Sequence, residues 1–199
     1  MMKALRFLLL VFSLLIGVAA GLWAFFPWDQ AVQVAFDEAA REAGRRGTEL
    51  SALEVSGSGG LKPLFRVRGL SMRHSLLTAN AALVEARLSP FKSLLARSIV
   101  MDLSLGAGDL LLLQGHRLSW RNGFLHLAAG PGTFDVSRLD MTGDLTVKGG
   151  FSIDPSTSRL TGAALDISVP AEMDSALAGL QALLPIRKEG EGRWKVERP

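Results

Sequence analysis

Hydrophobic residues follow three successive patterns along the chain, and the first is a continuous apolar run. From Phe7 to Phe26 the sequence has no charged residue, and a helix of that length spans about 30 Å. Lys3 and Arg6 precede the run and Asp29 follows it, a bias that places the amino terminus in the cytoplasm and the rest outside. The pattern predicts a cytoplasmic tip and transmembrane anchor over 1–28. The residues that mark this anchor are Phe7, Leu15, Trp23, Phe26 and Trp28.

A secretory signal peptide is the alternative interpretation of the same run. Val18-Ala19-Ala20 fits a small-residue cleavage site behind a shorter apolar core. The run continues through Leu22 and Phe26, however, and cleavage would leave these side chains at an exposed new terminus. An uncleaved anchor is therefore the preferred prediction, and both alternatives export the chain to the periplasm.

The second pattern has a period near 3.6 and predicts a juxtamembrane amphipathic helix over 29–47. Asp29 is a candidate N-cap, and Val32, Phe36 and Ala40 recur at helical spacing. Gly44 or Gly47 ends the helix. Its apolar stripe is narrow and rich in alanine, which fits either a helix that covers a sheet or one that docks to a partner.

The third pattern has a period of two and occupies a predicted periplasmic β-rich domain at 48–199. Apolar and polar residues alternate over several short segments separated by glycine, proline and serine clusters. The fold class is mainly β: an antiparallel curved sheet, built as a meander or a partly open β-groove, with one C-terminal helix. Ala171 to Leu184, between Pro170 and Pro185, is that helix.

Every predicted strand has one apolar face, and the apolar faces together predict a candidate groove. With few helices available, this surface must close on itself, form a sandwich, or receive an apolar ligand. The candidate groove residues are Phe65, Val67, Val84, Leu88, Ile99, Met101, Leu103, Leu145, Val147, Phe151, Leu165 and Ile167.

Composition and motifs argue against catalysis and predict neither a cofactor nor a metal. The chain has no cysteine and three histidines. His116 and His126 lie ten residues apart across a predicted hairpin turn at Asn122-Gly123, which would let them face each other, but a metal would still need a third ligand. Nucleophile elbows, zinc-protease motifs and phosphate-binding glycine loops are all missing from the sequence.

A basic cluster is the remaining polar candidate. It binds an anionic partner or is simply the solvated face of a strand. Its residues are Lys62, Arg66, Arg68 and Arg73. Nucleic acid is disfavoured as a partner, because the net charge is only +3 and the sequence lacks a series of aromatic residues for base stacking.

Several stretches resemble the type II secretion system protein N (GspN) family. They are Phe26-Pro27-Trp28, then Gly60-Leu61-Lys62-Pro63 ahead of Phe65 to Leu70, then the segment from 86 to 108. The resemblance implies an accessory inner-membrane protein with one anchor and a periplasmic β domain. It implies binding to other secretion-system or envelope proteins and brings no active site.

The segment from 86 to 108 also resembles repeats of AsmA-like envelope proteins. Leu88-Ser89-Pro90 ends one strand, Ser93 to Ala96 forms a turn, and a new strand carries Asp102-Leu103. This second resemblance implies that an apolar sheet groove holds lipid acyl chains. A lipopolysaccharide-transport-like module is a related alternative.

Overall fold

The computed structural model describes residues 12–14, 17–18, 21–75, 77–112, 115–157, 159–180 and 186–198. Strands dominate, and they form one antiparallel sheet, so the prediction of a mainly β antiparallel fold is confirmed. The strands are β1 Thr48–Ser51, β2 Glu54–Ser58, β3 Leu64–His74, β4 Leu77–Leu88, β5 Ile99–Leu105, β6 Gly108–Leu112, β7 Arg117–Gly130, β8 Thr133–Gly143, β9 Thr146–Asp154, β10 Arg159–Ser168, β11 Ile186–Gly190 and β12 Arg193–Arg198. The helices are α1 Trp28–Arg45, α2 Pro90–Ala96, the 3₁₀ turn Ala171–Met173 and α3 Asp174–Leu180.

The sheet is close to a meander, with the order β1-β3-β4-β5-β7-β8-β9-β10-β12-β11. Two further strands lie beside this path. β2 pairs with β3, as β1 does, and β6 pairs with β4 and β7, as β5 does. Gly106 lies at the break between β5 and β6, where its N–H donates to the Leu83 carbonyl. The segment from Gly106 to Gly108 interrupts one long strand position and does not reverse the chain, since β4 pairs with β5 and β6 in the same direction.

Cross-strand register sorts the side chains onto two faces. On one face, Leu103 of β5 is opposite Ala86 and Leu125, and Leu125 is opposite Leu139. The row continues through Gly149 to Leu165. Because successive side chains of a strand point to opposite sides, the residues between these positions form the second face, which is polar. We call the two sides the apolar face and the polar face.

Helices cover both ends of the apolar face. α1 lies against β2, where Gly57 leaves room: a Cβ on Gly57 would be 2.7 Å from the Trp28 carbonyl oxygen. The Trp28 ring also lies 6.2 Å from the Phe65 ring. At the other end, Met173 and Leu177 are buried in one cluster with Trp194 of β12. Helices therefore pack on both outer parts of the apolar face, and the α3 end is the buried one.

The sheet curls so that distant strands meet over the apolar face. Leu118 of β7 is 2% exposed and belongs to the same buried cluster as Trp194 and Val196 of β12. Three strands lie between β7 and β12 in the sheet order, so only strong twist and coiling brings them together. A second cluster, around Val136 and Leu139, continues the core toward β5.

Asp174, at the start of α3, fixes the β11–β12 hairpin to this core. Its carboxylate accepts hydrogen bonds from the Trp194 indole N–H at 2.8 Å and the Gly192 N–H at 3.2 Å, and pairs with Lys188 at 2.6 Å. The hydrogen bond from Lys188, followed by those from Trp194 and Gly192, lowers the pKa of Asp174 from its ordinary value. The predicted C-terminal helix begins at Ala171 as expected, and residues 181–185 lie outside the described part.

The predicted transmembrane helix is wrong for the described chain: none of its helices combines the length and apolarity needed to cross a bilayer. The longest described helix, α1, has 18 residues and carries charges such as Asp37 and Arg41. The helical residues 21–25 end before Pro27. Phe7 and Leu15, two of the residues assigned to the anchor, lie outside the described residues.

The remaining aromatic residues assigned to the anchor contact the protein itself. The Trp23 indole N–H donates to the Gly60 carbonyl at 2.8 Å. The Trp28 ring is 4.7 Å from the rings of both Trp23 and Phe26, centroid to centroid. These three residues therefore form an aromatic cluster between the start of α1 and the β2–β3 turn.

Candidate functional site

The polar face carries one row of alternating charge that crosses nine strands. Register places Arg66 opposite Glu85, Asp140 opposite Lys148, and Asp166 opposite both Lys148 and Lys195. The full row is Arg66, Glu85, Ser104, Phe124, Asp140, Lys148, Asp166, Lys195 and Arg187. We call it the charge row. Opposite charges that face each other across strands stabilise the pairing modestly and leave the surface close to neutral.

Charged residues near both ends of the charge row form ion pairs. Arg66 Nε lies 2.7 Å from Glu85 Oε1. At the other end, Lys195 Nζ lies 2.7 Å from Glu197 Oε1, a contact that raises the pKa of Lys195 and lowers the pKa of Glu197. Both residues of the Lys195–Glu197 pair thus stay charged near neutral pH.

A second polar row contains a histidine–aspartate pair that sequence reasoning missed. Asp102 is opposite both Arg87 and His126, and His126 is opposite Arg138. His126 Nδ1 lies 2.5 Å from Asp102 Oδ1. The aspartate orients the imidazole, as it does in many catalytic sites. Within the described residues, however, neither a hydroxyl hydrogen-bonded to His126 nor a metal-binding group of three side chains occurs.

The predicted hairpin turn at Asn122-Gly123 is wrong, and that prediction hides the Asp102–His126 pair. In the structure Asn122 and Gly123 lie inside β7, next to a register shift between Trp120 and Asn122. His116 precedes that strand and its carbonyl accepts from the Leu112 N–H, so the two histidines do not face each other. The available signal is the placement of His126 between Leu125 and Leu127, a period-two pattern that continues the strand beyond the glycine.

The predicted basic cluster is divided by the fold. Arg66 pairs with Glu85, and Arg68 Nη1 lies 3.1 Å from Glu54 Oε2. Arg73 is near the far end of β3, opposite Thr78, whereas Lys62 lies in the β2–β3 turn. The four cations therefore do not converge, and an anionic partner for them stays a prediction.

Most of the candidate groove residues lie on the apolar face, with different burial. Val84 and Val147 are buried, Ile99 is exposed, and the rest are half-buried. Phe65, Leu103 and Leu165 belong to the row described above, while Leu145 packs against two of the core clusters. Their role in binding a lipid stays a prediction.

One family model matches nearly the whole chain. The model of the family described as "Type II secretion system protein GspN-like, Synergistales" matches residues 3–198. No curated protein and no solved structure matches the chain significantly. The family match includes every described strand and helix, and therefore both faces of the sheet.

Proposed function

We propose, from the premise that the chain belongs to the GspN-like family of type II secretion system proteins, that it binds other envelope or secretion components. The family consists of secretion-system components and is not a family of enzymes. The match over residues 3–198 is the observation that carries the proposal. An envelope location agrees with a secretion role, and the division into a helix over 29–47 and a β-rich domain over 48–199 stays part of this proposal.

The polar face is the surface we assign to the protein partner. α1 and α3 contact the sheet on its apolar face, so neither helix shields the charge row. Nine strands spaced about 4.8 Å apart give the row a length of about 38 Å along the sheet. With the neighbouring rows, this surface approaches the roughly 800 Å² per partner that a standard interface requires.

Sheet edges are less suited to a partner than the polar face. One edge is formed by β1 and β2, which α1 packs against, and the other is β11. β11 carries Arg187, Lys188 and Glu189 within five residues, and charged side chains on an edge oppose the addition of another strand. Strand addition is therefore not the mode of binding that we propose.

Site-specific photo-crosslinking in cells that assemble the secretion machinery tests this assignment. A photoreactive residue replaces Lys148 or Asp166 on the polar face, and the matched control replaces Leu165, the sequence neighbour of Asp166 on the apolar face. We expect crosslinks to secretion subunits from Lys148 and Asp166, weakened by high salt because the surface is charged. No crosslink to any secretion subunit from these positions, in cells with an intact machine, contradicts the proposal.

Binding of lipid acyl chains is the second candidate, favoured by the incomplete cover of the apolar face. Met101, Leu125 and Phe151 pack against the core cluster around Val136 but are only partly buried. A sheet face left half-covered is a surface that an acyl chain fits.

Native mass spectrometry of the purified chain tests the lipid alternative. Met101→Glu places a charge on the apolar face, and Ser104→Glu is the matched control on the polar face of the same strand. Lipid that is lost in the Met101 variant and retained in the Ser104 variant supports the alternative. A chain that carries no phospholipid and takes up no fluorescent fatty acid eliminates it.

A further inference from the structure

We propose that one end of the sheet is a membrane-binding rim that lies on an anionic lipid surface. The membrane rim comprises the β2–β3 turn at 59–63 and the segment 89–99, which contains α2. This assignment comes from exposure and charge and does not depend on the secretion role.

Strand topology places the two parts of the membrane rim side by side. β2 and β4 both end here, and β3 begins here. The Leu88 N–H donates to the Pro63 carbonyl at 3.0 Å, which joins the start of the α2 segment to the turn. The β7–β8 turn lies at the same end, since Ile99 is opposite Ala129 and Gly130 is opposite Thr133.

α2 turns its apolar side outward, the reverse of what a helix in a globular core does. Phe91, Leu94 and Leu95, spaced three and four residues apart on one helix face, are 72%, 79% and 87% exposed. Ser93 faces the protein instead: its hydroxyl donates to the Ser89 carbonyl and accepts from the Val100 N–H. The inward contacts are thus polar, and the apolar side is left for another environment.

Exposed apolar residues are concentrated at this end of the described structure. After residue 27, eight large hydrophobic side chains are exposed in the described part, and five of them belong to the membrane rim. They are Leu61, Phe91, Leu94, Leu95 and Ile99. Scattered single residues of this kind are ordinary on a protein surface, but a cluster marks an interaction site.

The charges of the membrane rim identify a lipid surface as the partner. Lys62, Lys92 and Arg97 are the ionisable residues of its two segments, and neither segment contains an aspartate or a glutamate. Within the described residues these three cations form none of the ion pairs of the structure. Phenylalanine and leucine next to unpaired lysine and arginine are typical of elements that lie in the interface of an anionic bilayer.

Two further observations support the same surface. Arg97 has a φ of +50° at the C-cap of α2, where glycine is the usual residue, so the chain keeps a cation at a conformationally costly position. The Trp23 indole also bonds to Gly60 of the turn, which brings residues 21–26 of the apolar run to the rim. Indole rings prefer the membrane interface.

A fluorescence experiment on the full chain tests the membrane rim. Because the chain has no cysteine, Leu95→Cys gives one site for an environment-sensitive label. Leu111→Cys is the matched control, 41% exposed on β6 at the opposite end of the sheet. Both proteins are reconstituted into phosphatidylcholine vesicles with or without about one third phosphatidylglycerol and a spin-labelled lipid that quenches shallow probes.

The membrane rim predicts a blue shift of the Leu95 label and quenching at least about threefold stronger than at Leu111, larger with phosphatidylglycerol. Lys92→Gln with Arg97→Gln is expected to remove the dependence on phosphatidylglycerol. Quenching that is equal at the two sites, or absent at Leu95, overturns the proposal. A blue shift at Leu95 that occurs only when a secretion-system protein is added also overturns it, because the surface is then a protein contact.

Discussion

Leu118→Ala tests whether the sheet closes over its apolar face. Leu118 is 2% exposed and is the β7 residue that joins the cluster of Trp194 and Met173. The substitution removes three buried carbons, worth about 2.4 kcal/mol in transfer free energy. The cavity left behind raises the expected loss in the free energy of unfolding to about 3–4 kcal/mol.

Leu111→Ala is the matched control, on the opposite face of the β6–β7 hairpin. Leu111 is 41% exposed, so its loss is expected to be at most about 1.5 kcal/mol. Urea unfolding of the full chain in mild detergent, followed by tryptophan fluorescence, measures both, and Trp194 in the same cluster is a direct reporter. A loss at Leu118 no larger than that at Leu111 would refute the contact between β7 and β12 and leave an open sheet.

Three other substitutions test local features of the fold. Asp174→Asn is expected to lower the melting temperature at pH 7, where the carboxylate is charged. Because the pKa of Asp174 in the folded state lies below the ordinary value of 3.8, the difference in melting temperature should shrink as the pH falls below about 4. A difference in melting temperature that does not depend on pH contradicts the ion pair with Lys188. Gly149→Ala is expected to lower the free energy of unfolding in urea by more than about 2 kcal/mol, since φ is +130° and a Cβ would lie 1.9 Å from the Ala164 carbonyl oxygen. Gly132→Ala is the control: a Cβ at Gly132 meets no atom within 4 Å, so the loss should be about 1 kcal/mol. Arg97→Gly is expected to raise stability by about 0.5–1 kcal/mol and weaken binding to phosphatidylglycerol vesicles, and a loss of stability would show that Arg97 has a structural role.

Alternation was enough to predict the strands that carry the candidate groove residues, because the burial of one face is a local property of the sequence. Leu103 and Leu165 share a cross-strand row, and their period-two patterns already placed them on apolar faces. Helix α1 was equally predictable from the sequence, since its 3.6-residue pattern and terminal glycines lie within one segment. These features depend on neighbours in sequence.

The positions of glycine residues were harder to interpret, because their role depends on strands far away in sequence. Gly123 was assigned to a turn, but a Cβ there would lie 3.0 Å from Met141 and 3.2 Å from Leu105 on the neighbouring strands. Because Gly123 has no side chain, the side chains of Met141 and Leu105 can pack close to the β7 backbone on the apolar face. A single sequence contains this information only indirectly, and the wrong turn also concealed the Asp102–His126 pair.

The apolar amino-terminal run shows a different limit of sequence reasoning. Hydropathy and length predict a continuous spanning helix over 7–26, yet no described helix is long and apolar enough to cross a bilayer, and Trp23 and Trp28 contact the rest of the protein. Composition measures how well a segment tolerates lipid but does not show which contacts its aromatic residues make with the folded chain. The outward apolar side of α2 was overlooked for a related reason: its three apolar residues read as a turn that carries the chain between strands.

The membrane rim and the polar face together fix how the molecule would stand on a bilayer. Strands run from the rim to the opposite end, and β4, with 12 residues, extends about 40 Å. With α2 on the lipid surface, the Leu111 end therefore stands roughly 35–40 Å away from the lipid. The charge row then lies at intermediate height and faces sideways, toward proteins beside it. Lipid binding at the rim and protein binding at Lys148 and Asp166 can thus occur at the same time, because they use separate surfaces.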